Sequence, residues 1–323
     1  MKTMSMMEAI REAMNKRMRE DENVLLFGED VGAFGGCFGV SAGMFDEFGP
    51  ERVRDTPISE GVIIGTAVGA AATGLRPIAE LMFIDFATVG SDQLVNQAAK
   101  MRYMFGGKIN LPMVVRLPLG AGISAAAQHS QSLEAWFTHV PGLKVVYPST
   151  PADAYGLMLK SIDDENPVIF LEHKILYGAS GEVDENMEPI EFGIADIKRE
   201  GSDVTIVATG KMVHEALAAA EKLAEEGIEA EILDPRTLFP FDKETMLKSI
   251  EKTNKVIIVT EENKRGSCAS EIAAVIAEDG FDYLDAPVAR LCAMNTPVPF
   301  SPVLEQYYVP SADEIVTAVK KMF

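Results

Sequence analysis

The sequence predicts an α/β fold in two domains, each a mainly parallel sheet flanked by helices. Short apolar runs alternate with longer stretches of helical periodicity almost to the C terminus, the element order of such sheets. One polar, acidic stretch without periodicity, near Tyr177–Pro189, interrupts the alternation. A length of 323 residues is enough for two separate cores.

Met1–Arg19 carries charges throughout on an amphipathic pattern and reads as a helix, which argues against a secretory signal here. Val24–Gly28, Ile78–Phe83, Met113–Leu117, Lys144–Tyr147 and Val168–Glu172 read as strands. Gly61–Leu75, Ser91–Phe105 and Pro151–Ile162 lie between them and read as helices. The uncharged run Gly61–Leu75 is 15 residues long and rich in Gly and Ala. It is too short for a bilayer and suits close packing against neighbours. The polar stretch sets the expected boundaries: a first domain over 1–180, a linker over 181–190 and a second domain over 191–323. In the second, Val204–Thr209, Glu229–Asp234, Val256–Thr260 and Val288–Cys292 read as strands, and Met212–Glu226, Lys243–Lys252, Ser267–Glu278 and Ala312–Met322 as helices.

A net charge of −20 argues against nucleic acid, since nothing would neutralise phosphates. Hydrophobic content of 47% and charged content of 24% are those of an ordinary globular chain. Cys37, Cys268 and Cys292 are odd in number and far apart, which argues against disulfides and a zinc site. The expectation is a reduced, cytoplasmic protein with no membrane span.

Ligands of open α/β sheets bind beyond the carboxyl ends of strands. Four expected ends carry polar groups: Glu29-Asp30, Asp85-Phe86, Glu172-His173 and Glu261-Glu262-Asn263. Glu60 stands at the mouth of the uncharged run, and two readings of it are open. Ser59 or Asp55 caps a helix and Glu60 is a solvated first-turn acid favoured by the helix dipole; or Glu60 sits where water is scarce, as proton chemistry on a bound heterocycle would require. His129, in Gln128-His-Ser-Gln-Ser132, follows the Gly- and Ala-rich segment 120–127, where backbone can approach a ligand closely. A satisfied structural histidine is the competing reading. The chain has neither a Walker loop nor a strand-linked GxGxxG, so a phosphorylated cofactor would need its phosphates held by something else.

Several ordered motifs carry a resemblance: Gly28-Glu-Asp-Val-Gly32, Arg52-Val-Arg-Asp-Thr-Pro-Ile-Ser-Glu60, Gly74-Leu-Arg-Pro77, Asn96-Gln-Ala-Ala-Lys100, Gln128-His-Ser-Gln131, Pro141-Gly-Leu-Lys-Val-Val146 and Asp234-Pro-Arg-Thr237. Together they resemble the β subunits of the thiamine diphosphate-dependent first component of 2-oxo acid dehydrogenase complexes, over essentially the whole chain. Segments such as Glu80–Phe86, Ala125–Leu133 and Thr296–Leu304 look most like acetoin dehydrogenase β subunits; pyruvate and branched-chain relatives share most of the core motifs.

The resemblance implies a pyrimidine-binding domain followed by a transketolase C-terminal-like domain. It implies that an α subunit supplies the diphosphate and Mg²⁺ segment, in an assembly of two α and two β chains. Glu60 would then address N1′ of the cofactor's aminopyrimidine, Phe86 would stack on that ring, and Ile58 would line the pocket. His129 would exchange protons with the substrate alkoxide or a lipoyl sulfur. Acetoin would be cleaved to acetaldehyde and a hydroxyethyl–thiamine intermediate, then oxidised to an acetyl group on the lipoamide of an acyltransferase core. The family also implies a potassium site at Met113, Ser161, Asp164 and Asn166, against which stands an ordinary turn before Pro167. It implies that the acidic second domain docks the basic subunit-binding domain of the acyltransferase. A rival of another class is a non-catalytic transketolase-like scaffold.

Overall fold

The computed structural model describes every residue, Met1–Phe323. The chain forms two compact units, Met1–Leu119 with Trp136–Phe192, and Gly120–Ala135 with Gly193–Phe323.

In the first unit, β1 (Lys2–Ser5) precedes α1 (Met6–Glu20). The helix starts where it does because Ser5 and Glu8 form a capping box: Ser5 Oγ accepts from the Glu8 N–H, and the Glu8 carboxylate accepts from the Ser5 N–H. The residues before it, expected to be helical, are instead extended and pair antiparallel with Ser180–Val183. Next come β2 (Val24–Gly28), α2 (Met44–Phe48), β3 (Val53–Asp55), α3 (Glu60–Ala72), β4 (Arg76–Glu80) and α4 (Ala99–Met104). A π-helical turn over Gln93–Ala98 leads into α4. They are followed by β5 (Val114–Leu119), α5 (Glu134–Thr138), β6 (Lys144–Val146), α6 (Pro151–Asp163), β7 (Val168–His173) and β8 (Ser180–Val183).

The strands form a parallel sheet with neighbours in the order β6-β7-β5-β4-β2-β3. β5 and β7 are buried along their whole length, as parallel strands covered on both faces must be. The apolar stripes of α1 (Ile10, Met14, Met18) and α6 (Leu157, Met158) share one core with Leu26, Ile78 and Phe170 of the sheet.

The second unit holds β9 (Asp196–Arg199), β10 (Val204–Ala208), α7 (Lys211–Ala224), β11 (Ala230–Asp234), β12 (Thr237–Phe239), α8 (Lys243–Thr253), β13 (Val256–Asn263), α9 (Cys268–Asp279), β14 (Ala289–Ala293), α10 (Pro302–Tyr308) and α11 (Ala312–Lys320). Its sheet runs β14-β13-β10-β11-β9, parallel except for the edge strand β9. α7 and α11 cover one core of this unit, and α8 and α9 a second.

Two expectations change. Residues 181–190 are not a free linker: Ser180–Val183 is β8, and Met187 and Ile190 pack on the first unit's core, so the chain leaves that unit after Phe192. Sparse apolar residues hidden in an acidic stretch do this. The segment Gly120–Ala135, expected inside the first domain, belongs to the second unit. No helix is long and apolar enough to cross a membrane.

Candidate active site

Glu60 opens α3 and is only 7% exposed. The capping alternative does not hold. Ser59 makes no side-chain cap, its hydroxyl donating instead to the Pro57 carbonyl at 3.0 Å. The Asp55 carboxylate accepts from the Gly32 N–H at 2.6 Å. Glu60 is a buried acid, not a solvated one.

A second carboxylate stands with it. Glu29 leaves the end of β2, is buried, and accepts from the Ser59 N–H at 3.3 Å. Burial first and the neighbouring charge of Glu60 second push the Glu29 carboxyl above the usual carboxylate range. The next residue, Asp30, has φ +57°, in the left-handed region that ordinary side chains avoid, so the turn after β2 is held under strain.

Phe86 lies in a short 3₁₀ turn, Ile84–Thr88, with its ring edge-on to Phe83 at 5.9 Å. This segment is pressed onto the head of α3. A Cβ at Gly90 would come within 2.3 Å of Ile64 Cδ1 and 3.2 Å of the Glu60 carbonyl oxygen, so only glycine fits. Ile58, Val62 and Val89 are large apolar residues left exposed around the same helix end. Ile58, Glu60 and Phe86 are thus gathered in the first unit. His129 belongs to the second, half-buried in a loop where its N–H donates to the Ala126 carbonyl at 3.4 Å.

The other strand ends divide by role. Glu172 is structural: it grips Arg116 through Nε and Nη2 at 2.7 Å each and accepts from the Tyr177 hydroxyl at 2.6 Å. Glu80 pairs with the third guanidinium nitrogen of Arg116, and all three ionic groups are buried. His173 Nδ1 accepts from the Ile175 N–H, a local turn bond. Glu261 and Glu262 accept main-chain N–H groups of the segment Gly120–Ala135, from Ala121 and Ala135 respectively.

Of the four residues of the expected potassium site, Ser161, Asp164 and Asn166 have side chains already engaged, and Met113 has its carbonyl engaged. Asp164 is ion-paired with Lys144 and accepts from Asn166 N and Nδ2, which together outweigh burial and hold its carboxyl low. Asn166 Oδ1 accepts from Arg102, Ser161 Oγ donates to the Leu157 carbonyl, and the Met113 carbonyl accepts from the Val168 N–H. No group of three or more His, Cys, Asp or Glu is placed to hold a metal ion.

This arrangement fits one end of thiamine diphosphate. It offers a buried carboxylate for a ring nitrogen, an aromatic face and an apolar rim. Residues 2–180 match the transketolase pyrimidine-binding domain and residues 193–315 the transketolase C-terminal domain. The chain is 55% identical to the β subunit of acetoin:2,6-dichlorophenolindophenol oxidoreductase of Bacillus subtilis (strain 168), covering 99% of this chain and 97% of that one. It is 52% identical to the protein of the same description from Cupriavidus necator, over 97% and 95% of the two chains. This chain belongs to the β subunits of the thiamine-dependent first components of 2-oxo acid dehydrogenase complexes.

The family also includes the 2-oxoisovalerate dehydrogenase β subunit of B. subtilis, 45% identical over 100% of this chain and 99% of that one. A solved structure described as a split-gene transketolase, an inactive β4 tetramer, superposes with TM-score 0.82 at 25% identity, covering 99% of this chain and 98% of that one. A β subunit of this oxidoreductase family works with an α partner. What sequence reasoning underrated in the site is Glu29. It was one acidic strand end among four, and only the packing of β2 beside the head of α3 distinguishes it.

Proposed function

We propose that this chain is the β half of a thiamine diphosphate-dependent enzyme that cleaves acetoin, completed by an α subunit in an assembly of two α and two β chains. The observation that carries the cofactor assignment is the buried Glu60–Glu29 pair at the head of α3, against which the segment following Phe86 packs. The substrate reading rests on identities of 55% and 52% to acetoin oxidoreductase β subunits, against 45% to the 2-oxoisovalerate relative.

Thiamine diphosphate, when bound, supplies the carbon nucleophile for C–C cleavage. Glu60 holds a proton at N1′ of the aminopyrimidine. Glu29 is a second acid in the same dry region, its own carboxyl pushed above the usual carboxylate range by burial and then by the charge of Glu60. Phe86 offers the ring a stacking face and Ile58 closes the apolar rim. His129 gives or takes a proton at the substrate oxygen, or at a lipoyl sulfur when acetyl passes to the acyltransferase core. Mg²⁺ is held mainly by the α subunit. A potassium ion near Met113, Ser161, Asp164 and Asn166 would be bound by main-chain carbonyls, since Lys144 and Arg102 occupy the carboxylate and amide oxygens. The acidic surface suits docking of a basic segment of the acyltransferase in the cytoplasm.

A second reading, a pyruvate or branched-chain dehydrogenase β subunit, is favoured by near-full-length identities of 47% to a pyruvate dehydrogenase β subunit and 45% to the 2-oxoisovalerate relative. Both are tested by reconstituting the α partner and comparing turnover on acetoin, pyruvate and 2-oxoisovalerate. Acetoin is expected to dominate by kcat/KM. In the same assembly Glu60→Gln should lower kcat by a factor on the order of 10² or more, as expected for loss of a general acid–base group. Near-normal turnover of that variant would sink the assignment of Glu60.

A further inference from the structure

The segment that carries His129 is held by carboxylates from the far end of the chain. Glu305, on α10 and buried, accepts from the Gly122 N–H at 2.7 Å, from the Ser124 N–H at 2.9 Å and from the Ser124 hydroxyl at 3.3 Å. Glu261, on β13, accepts from the Ala121 N–H. Glu262 accepts from the Ala135 N–H at 3.0 Å, closing the other end of the segment, and from the Cys268 N–H at 2.9 Å. Ala121 also packs in a small apolar cluster with Ala293, Val298 and Tyr308.

The backbone that these groups hold is strained. Ser124 and Ala126 have φ of +56° and +60°, a conformation that side chains with a Cβ adopt only where their surroundings impose it. Two main-chain N–H groups and one hydroxyl converge on the single buried carboxyl group of Glu305, and hydrogen bonds of this kind to a carboxylate are among the strong ones. His129 lies three residues beyond Ala126 and its N–H turns back onto the Ala126 carbonyl. Glu305 thus holds the backbone a few residues ahead of His129.

We propose that Glu305 is a positioning residue for His129: its carboxylate, with Glu261 and Glu262, imposes the strained turn at Ser124–Ala126 that orients the histidine. This rests on the catalytic reading of His129. The clamp itself can be read without turnover.

The test uses the full chain with ¹³C-labelled histidine, the His129 resonance being assigned by its loss in His129→Gln. In Glu305→Gln the amide oxygen keeps one donor while its NH₂ group opposes another N–H. The exchange of the amides over 121–126 should accelerate roughly tenfold to a hundredfold, and the His129 resonance and its titration midpoint should move. In the assembly with the α subunit, kcat should fall about tenfold, the scale of one lost charge-assisted hydrogen bond, with KM and thiamine diphosphate saturation unchanged. A folded Glu305→Gln with wild-type exchange and an unmoved His129 signal would overturn the proposal. Should that variant fail to fold, Glu261→Gln is read in the same way, with the same two outcomes. If His129→Gln keeps full turnover, the catalytic purpose of the clamp is overturned, even where the exchange data show that the clamp exists.

Discussion

Glu262 and Glu134 make the stability of the second unit sensitive to pH near neutrality. Burial pushes the Glu262 carboxyl up to about 7, in spite of the N–H groups of Cys268 and Ala135 that favour its ionised form. Glu134, buried with neither carboxyl oxygen hydrogen-bonded, is pushed well above the usual range by burial and then by the charge of Glu262. Each binds its proton more tightly folded than unfolded. Their stabilisation is therefore complete below the ordinary carboxylate value, near 4.5, and is lost as pH rises through about 7. Unfolding free energies from denaturant titrations should fall between those limits, by up to about 3 kcal/mol for Glu262. Glu262→Gln should flatten that fall, and Glu134→Gln should raise stability above pH 7; a wild-type pH profile in both variants would count against the buried pair. At this scale the sequence singled out Glu60 but left a solvated first-turn acid and a buried one both open, and its burial is what the packing decides. It marked Glu29 only as one acidic strand end among four and was silent on Glu305, because what distinguishes a buried acid from a surface acid is the element packed against it.

Whole elements were read from periodicity, and their ends from chemistry. α1 and α6 begin where Ser5–Glu8 and Thr150–Asp153 cap them, and the apolar stripes match the core. What failed was short and polar: β1 and β8 are four residues each and have no alternation strong enough to register. One strand and one turn carry testable weak points. Arg116→Met would leave Glu80 and Glu172 buried without their cation, and should destabilise the first unit by about 3–5 kcal/mol in chemical denaturation. Gly142 turns at φ +108° against α4, where a Cβ would sit 2.0 Å from the Ala99 carbonyl oxygen. Gly142→Ala should therefore cost about 3 kcal/mol by the same measurement, since neither the backbone angle nor the space admits it.

Across the whole molecule, the two-domain architecture was legible and the path of the chain between the units was not. No local pattern announces that Gly120–Ala135 leaves the unit of its sequence neighbours, because the groups that hold it are remote: Ala135 is 127 residues from Glu262, and Gly122 is 183 from Glu305. That separation becomes time during synthesis. At roughly 5–20 residues per second, the ribosome delivers Glu305 on the order of ten to forty seconds after Gly122. Throughout that interval the turn at Ser124 has donors but lacks the carboxylate that accepts from them, and the strands of its own unit are still being made. Nascent chains arrested before Glu261 should be cut by protease within 120–135, and chains released past Glu305 should not. A newborn chain can therefore own the carboxylate pair at Glu29 and Glu60 while the segment around His129 still waits for the residues that hold it, so the two segments are completed at different moments.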